Sequence, residues 1–192
     1  MRLKIVLFLL FIFSVCNAQM KPLSIYLKSG EILNGIGRFK SFSNEFKFKL
    51  SEDSKVQNIE YSKIDYIKIP QPANAVMTYN FFQLTDTNEY VAVQKIVSGN
   101  KVELYTTSFN YNASGAGGIS FNQSVVNYYI KKVSDEKLTS LGPYSTLTND
   151  LRGKALKYFS DCNKLVEKIE NREFKVREGL EKMVIFYNES CN

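Results

Sequence analysis

Apolar and polar residues alternate in short runs over the first two-thirds of the chain and recur at helical spacing over the last third. Leu23, Ile25 and Leu27 share one face of an extended segment, and Ser29-Gly30 offers a tight turn into a second run at 31–39. Phe46, Phe48 and Leu50 mark a third strand, and runs at 56–61 and 64–69 supply two more, separated by Ser62-Lys63. Gly35 and Gly37 predict a bulge or sharp bend that would let a small sheet curl on itself. Pro70 and Pro72 end this series, because proline has no N–H to give to a ladder.

A short strand at 76–84 is followed by runs at 90–97 and 101–107 around Ser98-Gly99-Asn100, the clearest hairpin in the chain. Residues 110–123, rich in Asn, Ser and Gly, read as a mobile hairpin loop before a β-branched and aromatic strand at 125–133. Ser114-Gly115-Ala116-Gly117-Gly118 lacks the Gly-Lys-Ser/Thr and the helix pattern of a phosphate loop. The other reading of this stretch is a binding loop that presents Phe109, Tyr111 and Phe121.

Beyond residue 144 the period changes. Leu147, Leu151, Ala155, Tyr158 and Phe159 suit one amphipathic helix, against which Gly153 counts. Cys162, Leu165, Val166 and Ile169 fall at i, i+3, i+4 and i+7 of a second, with Asp161 as the N-cap. Val176, Leu180, Met183, Val184 and Tyr187 mark a third, with Gly179 inside it. If the last two run antiparallel, Cys162 approaches Cys191, and the chain near Glu173 must leave the helix. The expected fold class is α+β: an antiparallel β-rich body at 19–143, built as a small barrel-like sheet plus hairpins, with a three-helix tail at 144–192.

Residues 1–18 read as a secretory signal peptide. Arg2 and Lys4 precede an apolar run of 11 residues, where a membrane span needs about 20, and cleavage is expected after Ala18. Lipidation at Cys16 is the minor alternative, because Val15 stands where a small residue is preferred. Removing the leader leaves Cys162 and Cys191, which read as a disulfide in an oxidising setting or else as two buried thiols. The expected location is the periplasm, the cell envelope or the extracellular space, with no integral membrane segment in the mature chain.

The composition narrows the chemistry. There is no histidine, which excludes Ser-His-Asp and Cys-His arrangements and imidazole zinc sites. No cofactor or metal site and no catalytic residue is nominated. Asp65, Asp86, Glu89 and Glu103 are the candidate acids that lie in the body; two of them converging would be needed for carboxylate catalysis. Lysines and glutamates interleave along the tail, so no single-sign surface suggests nucleic acid. Asn112, Asn122 and Asn188 head Asn-X-Ser triplets and read as surface polar residues of a bacterial protein.

Two resemblances add to this reading. The five-strand pattern from Leu23-Ser24-Ile25-Tyr26-Leu27-Lys28-Ser29-Gly30-Glu31 to the close at 64–69 resembles an SH3-like or Sm-like small barrel, which implies a fold but no ligand. Tyr158-Phe159-Ser160-Asp161-Cys162, Leu165-Val166-Glu167-Lys168-Ile169 and Tyr187-Asn188 with Cys191 resemble a group of uncharacterised secreted proteins of Bacteroidota. Residues 99–105 and Tyr128-Tyr129-Ile130 extend that likeness. Asn163 stands where that group commonly has proline. The resemblance implies an exported protein with a β-rich body, a helical tail and no assigned activity. The expected role is therefore a non-catalytic interaction module for an unknown protein or envelope partner. The alternatives are a hydrolase or lyase using carboxylates or lysine, and a structural component of an envelope assembly.

Overall fold

The structure is a computed structural model that describes residues 20–40, 43–114, 120–143, 150–176 and 179–191, without the side chains of 109–114 and 120–124. The expected signal peptide at 1–18 lies outside the described residues. The fold is α+β: the described residues form a β-rich body of ten strands and three helices near the C-terminus. The chain forms two compact units, one ending at Val76 and the other beginning at Met77.

The first unit contains β1 (Lys21–Leu27), β2 (Ile32–Phe39), β3 (Glu45–Lys49), β4 (Gln57–Glu60) and β5 (Ile64–Pro70). Their order is β5-β1-β2-β3-β4, and a single 3-10 turn, Tyr61–Lys63, joins β4 to β5. The Ser29-Gly30 turn forms as expected, with Gly30 at φ +89° and its N–H donating to Leu27 O. Leu23, Ile25, Phe46, Phe48, Ile64, Ile67 and Ile69 are buried. Gly35 and Gly37 do not make the expected bulge, since β2 keeps an unbroken register with both neighbours. The irregularity lies instead between Tyr26 and Leu27, on the β5 side. The two glycines have a packing role. A Cβ on Gly37 would stand 2.4 Å from the Phe46 ring, and one on Gly35 would stand 2.2 Å from Lys49 O. The faces of β3 and β2 therefore meet only because β2 has no side chain there.

The second unit contains β6 (Val76–Gln83), which starts at the boundary, β7 (Tyr90–Val97), β8 (Val102–Ser114), β9 (Ser120–Lys132) and β10 (Thr139–Pro143), in the order β10-β9-β8-β7-β6. Helices α1 (Leu151–Tyr158), α2 (Asn163–Glu170) and α3 (Glu181–Ser190) follow. Strand alternation divides the buried residues between two faces. Val102, Leu104, Tyr128 and Ile130 pack with Phe159, Leu165, Met183 and Val184 of the helical tail. Tyr105 and Tyr129, directly opposite each other, pack with Leu84, Val93 and Leu138 on the other face.

Several expectations change in this unit. The Asn- and Ser-rich stretch is mostly strand, because β8 and β9 pair residue for residue from Val102↔Lys132 to Ser114↔Ser120. Pairing between adjacent segments satisfies the backbone without needing an apolar pattern, so periodicity did not report it. The short β10 was also unforeseen. It carries Gly142 at φ +84° and Pro143, and its register shifts between Ser140 and Gly142.

The helices start later than their periodicity suggests. Gly153 sits in the first turn of α1, where Asp150 caps it by accepting from the Gly153 N–H at 2.8 Å. Cys162, not Asp161, occupies the N-cap position of α2, while Asp161 accepts from the Tyr187 hydroxyl at 2.8 Å. Gly179 at φ +94° precedes α3 and does not interrupt it. The chain does leave the helix near Glu173, and Cys162 and Cys191 form a disulfide with a sequence separation of 29.

Asn188 is half-buried and is not a surface polar residue. Its Oδ1 accepts from the Lys101 and Val102 N–H groups at 3.0 and 2.9 Å, and its Nδ2 donates to Val102 O and Val184 O, both at 2.9 Å. Closing a loop of this separation stabilises by roughly 3 to 4 kcal/mol in the chain-entropy model. Replacing both Cys162 and Cys191 by serine should lower the stability measured by urea unfolding by about that much. Gly37→Ala should cost about 1–3 kcal/mol in the same assay, through overpacking against Phe46.

Candidate functional site

Two features of the second unit bring polar chemistry together: an ion cluster on the β7-β8-β9 surface and the outer part of the β8–β9 hairpin. Glu103 of β8 and Lys131 of β9 are direct cross-strand partners, and Lys95 reaches the same carboxylate from β7. Lys95 Nζ stands 2.5 Å from Glu103 Oε1, and the Tyr105 hydroxyl donates to Oε2 at 2.7 Å. Lys131, which is 7% exposed, stands 3.6 Å from Oε2 and donates to Asp135 O at 2.9 Å. Its ammonium also lies 5.6 Å from the centre of the Phe82 ring.

Burial pushes the Glu103 carboxyl up, but the hydrogen bonds from Lys95 and Tyr105 and the charges of Lys95 and Lys131 outweigh it. The net direction is down from 4.5. Burial, the hydrogen bond to Glu103 and the charge of that carboxylate all raise Tyr105, so at neutral pH it donates as a neutral phenol. The cluster is consequently an ion network that holds three strands in register. A general acid would need its carboxyl raised, which is the opposite direction.

The other acids named from the sequence do not join it. Asp65, Asp86 and Glu89 are exposed. Asp86 accepts from the Thr87 N–H at 2.9 Å in the turn after β6. Among the described residues there is no group of three or more Cys, Asp or Glu side chains that could hold a metal ion. No described helix is long and apolar enough to cross a membrane.

The binding-loop residues fall on strands. Phe109 and Tyr111 lie in β8 opposite Val125 and Gln123, and Phe121 lies in β9 opposite Ala113. Their side chains are outside the described residues, as are 115–119. A strand, not a helix, resumes at Ser120, as the absence of a phosphate-loop motif implies. The β7 ladder ends at Gln94↔Thr106 and the β10 ladder at Asn127↔Pro143. From Ser108↔Val126 to Ser114↔Ser120, β8 and β9 therefore pair only with each other among the described residues. This ribbon presents the outer backbone groups of both strands without a ladder partner.

Sequence reasoning listed Glu103 but missed Lys95 and Lys131. Their signal was available only through register, because opposite charges face each other once Glu103 is paired with Lys131. Comparison of the chain with protein-family models, with curated proteins and with solved structures gives no match.

Glu103→Gln should destabilise the protein by about 1–3 kcal/mol at neutral pH, because it leaves a buried ammonium without its carboxylate. Since folding depresses the Glu103 pKa, its contribution is complete above 4.5 and is lost as the pH falls through the lower folded value. Urea midpoints of wild type and Glu103→Gln should accordingly converge in acid.

Proposed function

We propose that this protein is an exported, non-catalytic binding module of the cell envelope or extracellular space. Its contact surface in this reading is the β8–β9 ribbon, which takes an extended segment of a protein partner as an added strand. The single observation that supports this is the ribbon itself, paired internally over seven registers and unpaired along both outer edges among the described residues. Such edges offer main-chain hydrogen bonds for affinity, and alternate side chains for specificity. Soluble proteins usually cover, shorten or charge an edge of this length.

The leader-like residues 1–18 and the Cys162–Cys191 disulfide support export. So does the likeness to secreted Bacteroidota proteins. The Ser, Asn and Gln composition of the ribbon suits this role, since it keeps an exposed edge wet until a partner covers it. The same edges favour one second reading, a structural component of an envelope assembly in which copies of the chain pair with each other.

Shortening residues 110–124 to an Asn-Gly turn, which keeps Phe109 opposite Val125, should leave the thermal midpoint unchanged and remove the partner that co-purifies with the tagged protein from its native envelope fraction. A partner that survives the shortening would sink the ribbon as the contact surface. A concentration-dependent self-association abolished by the same change would replace the first reading with the second.

A further inference from the structure

The end of α2 carries a cleft that neither the ion cluster nor the ribbon touches. Its volume is about 380 Å³, and it is lined by Arg152 of α1, Ile169 of α2, and Arg172, Phe174, Lys175 and Val176 of the segment that follows. This lies at the small end of the range for ligand pockets. The lining combines two guanidinium groups and an amine with three apolar side chains. Among the described residues that line it, none carries an acidic side chain. The nearby Glu173 is engaged by Lys168 at 2.6 Å.

Arg152 and Phe174 are held in place. Arg152 bridges from α1 to the end of α2, its Nη2 donating to Glu170 O at 3.4 Å. Phe174 packs edge-on against Phe186 of α3 with ring centres 5.5 Å apart, and the Lys168 ammonium lies within 6 Å of both rings, at 5.9 and 5.7 Å. The backbone between them is a tight exit from α2, in which the Glu173 and Phe174 N–H groups both donate to Lys168 O. This exit puts Arg172 at φ +60°, a conformation that favours glycine. An arginine there is disfavoured by the backbone, and what it adds is a guanidinium at the cleft.

Helix-end electrostatics explains only part of this. The negative end of α2 favours a nearby cation, but it requires neither a planar fork nor an apolar floor. A single guanidinium matches a carboxylate through two parallel hydrogen bonds, which a lysine amine does not reproduce. The apolar side chains match a short hydrocarbon body.

We propose that this cleft binds a small amphipathic carboxylate, with its head group on Arg152 and Arg172 and its apolar body on Ile169, Phe174 and Val176. Affinity then comes from charge and apolar contact together, so neither a neutral alcohol nor a cation of the same chain length replaces the ligand.

Titration calorimetry of the full protein with decanoate, held below its micellar concentration, tests this. Decanoate should bind with one-to-one stoichiometry and a Kd below about 1 mM, and decanol and decyltrimethylammonium should bind at least about tenfold more weakly. Arg172→Gly suits the backbone at that position, so it should keep or raise the thermal midpoint while weakening decanoate at least about tenfold. Arg172→Lys should fall between it and wild type, and Arg152→Gln should weaken binding without changing the urea midpoint. The proposal is overturned by an absence of heat up to about 1 mM decanoate, by equal affinity for decanol, or by variants that fold and bind decanoate as wild type does.

Discussion

The carboxamide of Asn188 uses its two acceptor and two donor capacities to join α3 to the start of β8. Three of the four bonds go to Lys101 and Val102, residues 86 or 87 positions away in the chain, and the fourth returns to the preceding turn of α3. Gly99 makes the approach possible, since a Cβ there would stand 2.1 Å from Asn188 Nδ2. Beside this junction the Lys101 amine donates to Cys191 O, and Cys191 is covalently tied to Cys162 at the head of α2. One short stretch of α3 thus anchors the sheet, through backbone groups that would otherwise lack partners at a hairpin start, and also the other helix.

The rest of the second unit follows from that junction. With α3 fixed on β8, the apolar face of the tail covers Val102, Leu104 and Ile130, and the opposite strand face is left to Tyr105 and Tyr129. The ion cluster lies on this second face, where Glu103 is ringed by two ammonium groups and a phenol. The buried Lys131 is tolerable because its charge is matched and its remaining donors reach backbone carbonyls. The ribbon extends beyond both of these fixed regions, and the basic cleft sits at the far end of α2 from the disulfide. The two proposed contact regions are accordingly built on different elements of a unit held by covalent and hydrogen-bonded anchors.

Local signals were legible wherever a residue's neighbours in sequence are also its neighbours in space. Ser29-Gly30, the break at Pro70 and the hairpin at Ser98-Gly99-Asn100 describe short-range geometry and formed as read, as did the Leu165, Val166 and Ile169 face of α2, with Cys162 just outside it. Gly179 was harder. Within a periodic run it resembles a tolerated interruption, but the chain uses its left-handed freedom to begin α3 later, near Leu180. Asn188 was misread because its triplet suits a surface residue, while the four groups it bonds lie almost entirely on another element. Lys131 was passed over because a lysine in a strand normally points to solvent, and only its partner across the ladder explains its burial.

By itself the sequence determined the α+β class, nearly all the strand and helix segments and the lack of histidine chemistry, and it left Cys162 and Cys191 as either a disulfide or two buried thiols. Those properties depend on residue type and on spacings of a few positions, whereas the disulfide was decided by the approach of Cys162 and Cys191 to 5.6 Å between Cα atoms. Only the tertiary structure decided that 110–114 and 120–123 are strand, that Gly35 and Gly37 make room for aromatic rings, and that Glu103 is bound by two lysines. It alone brought Arg152 to the residues that follow α2. These outcomes depend on register and on which faces meet, and residues far apart in the chain acquire both only when the backbone has closed around them.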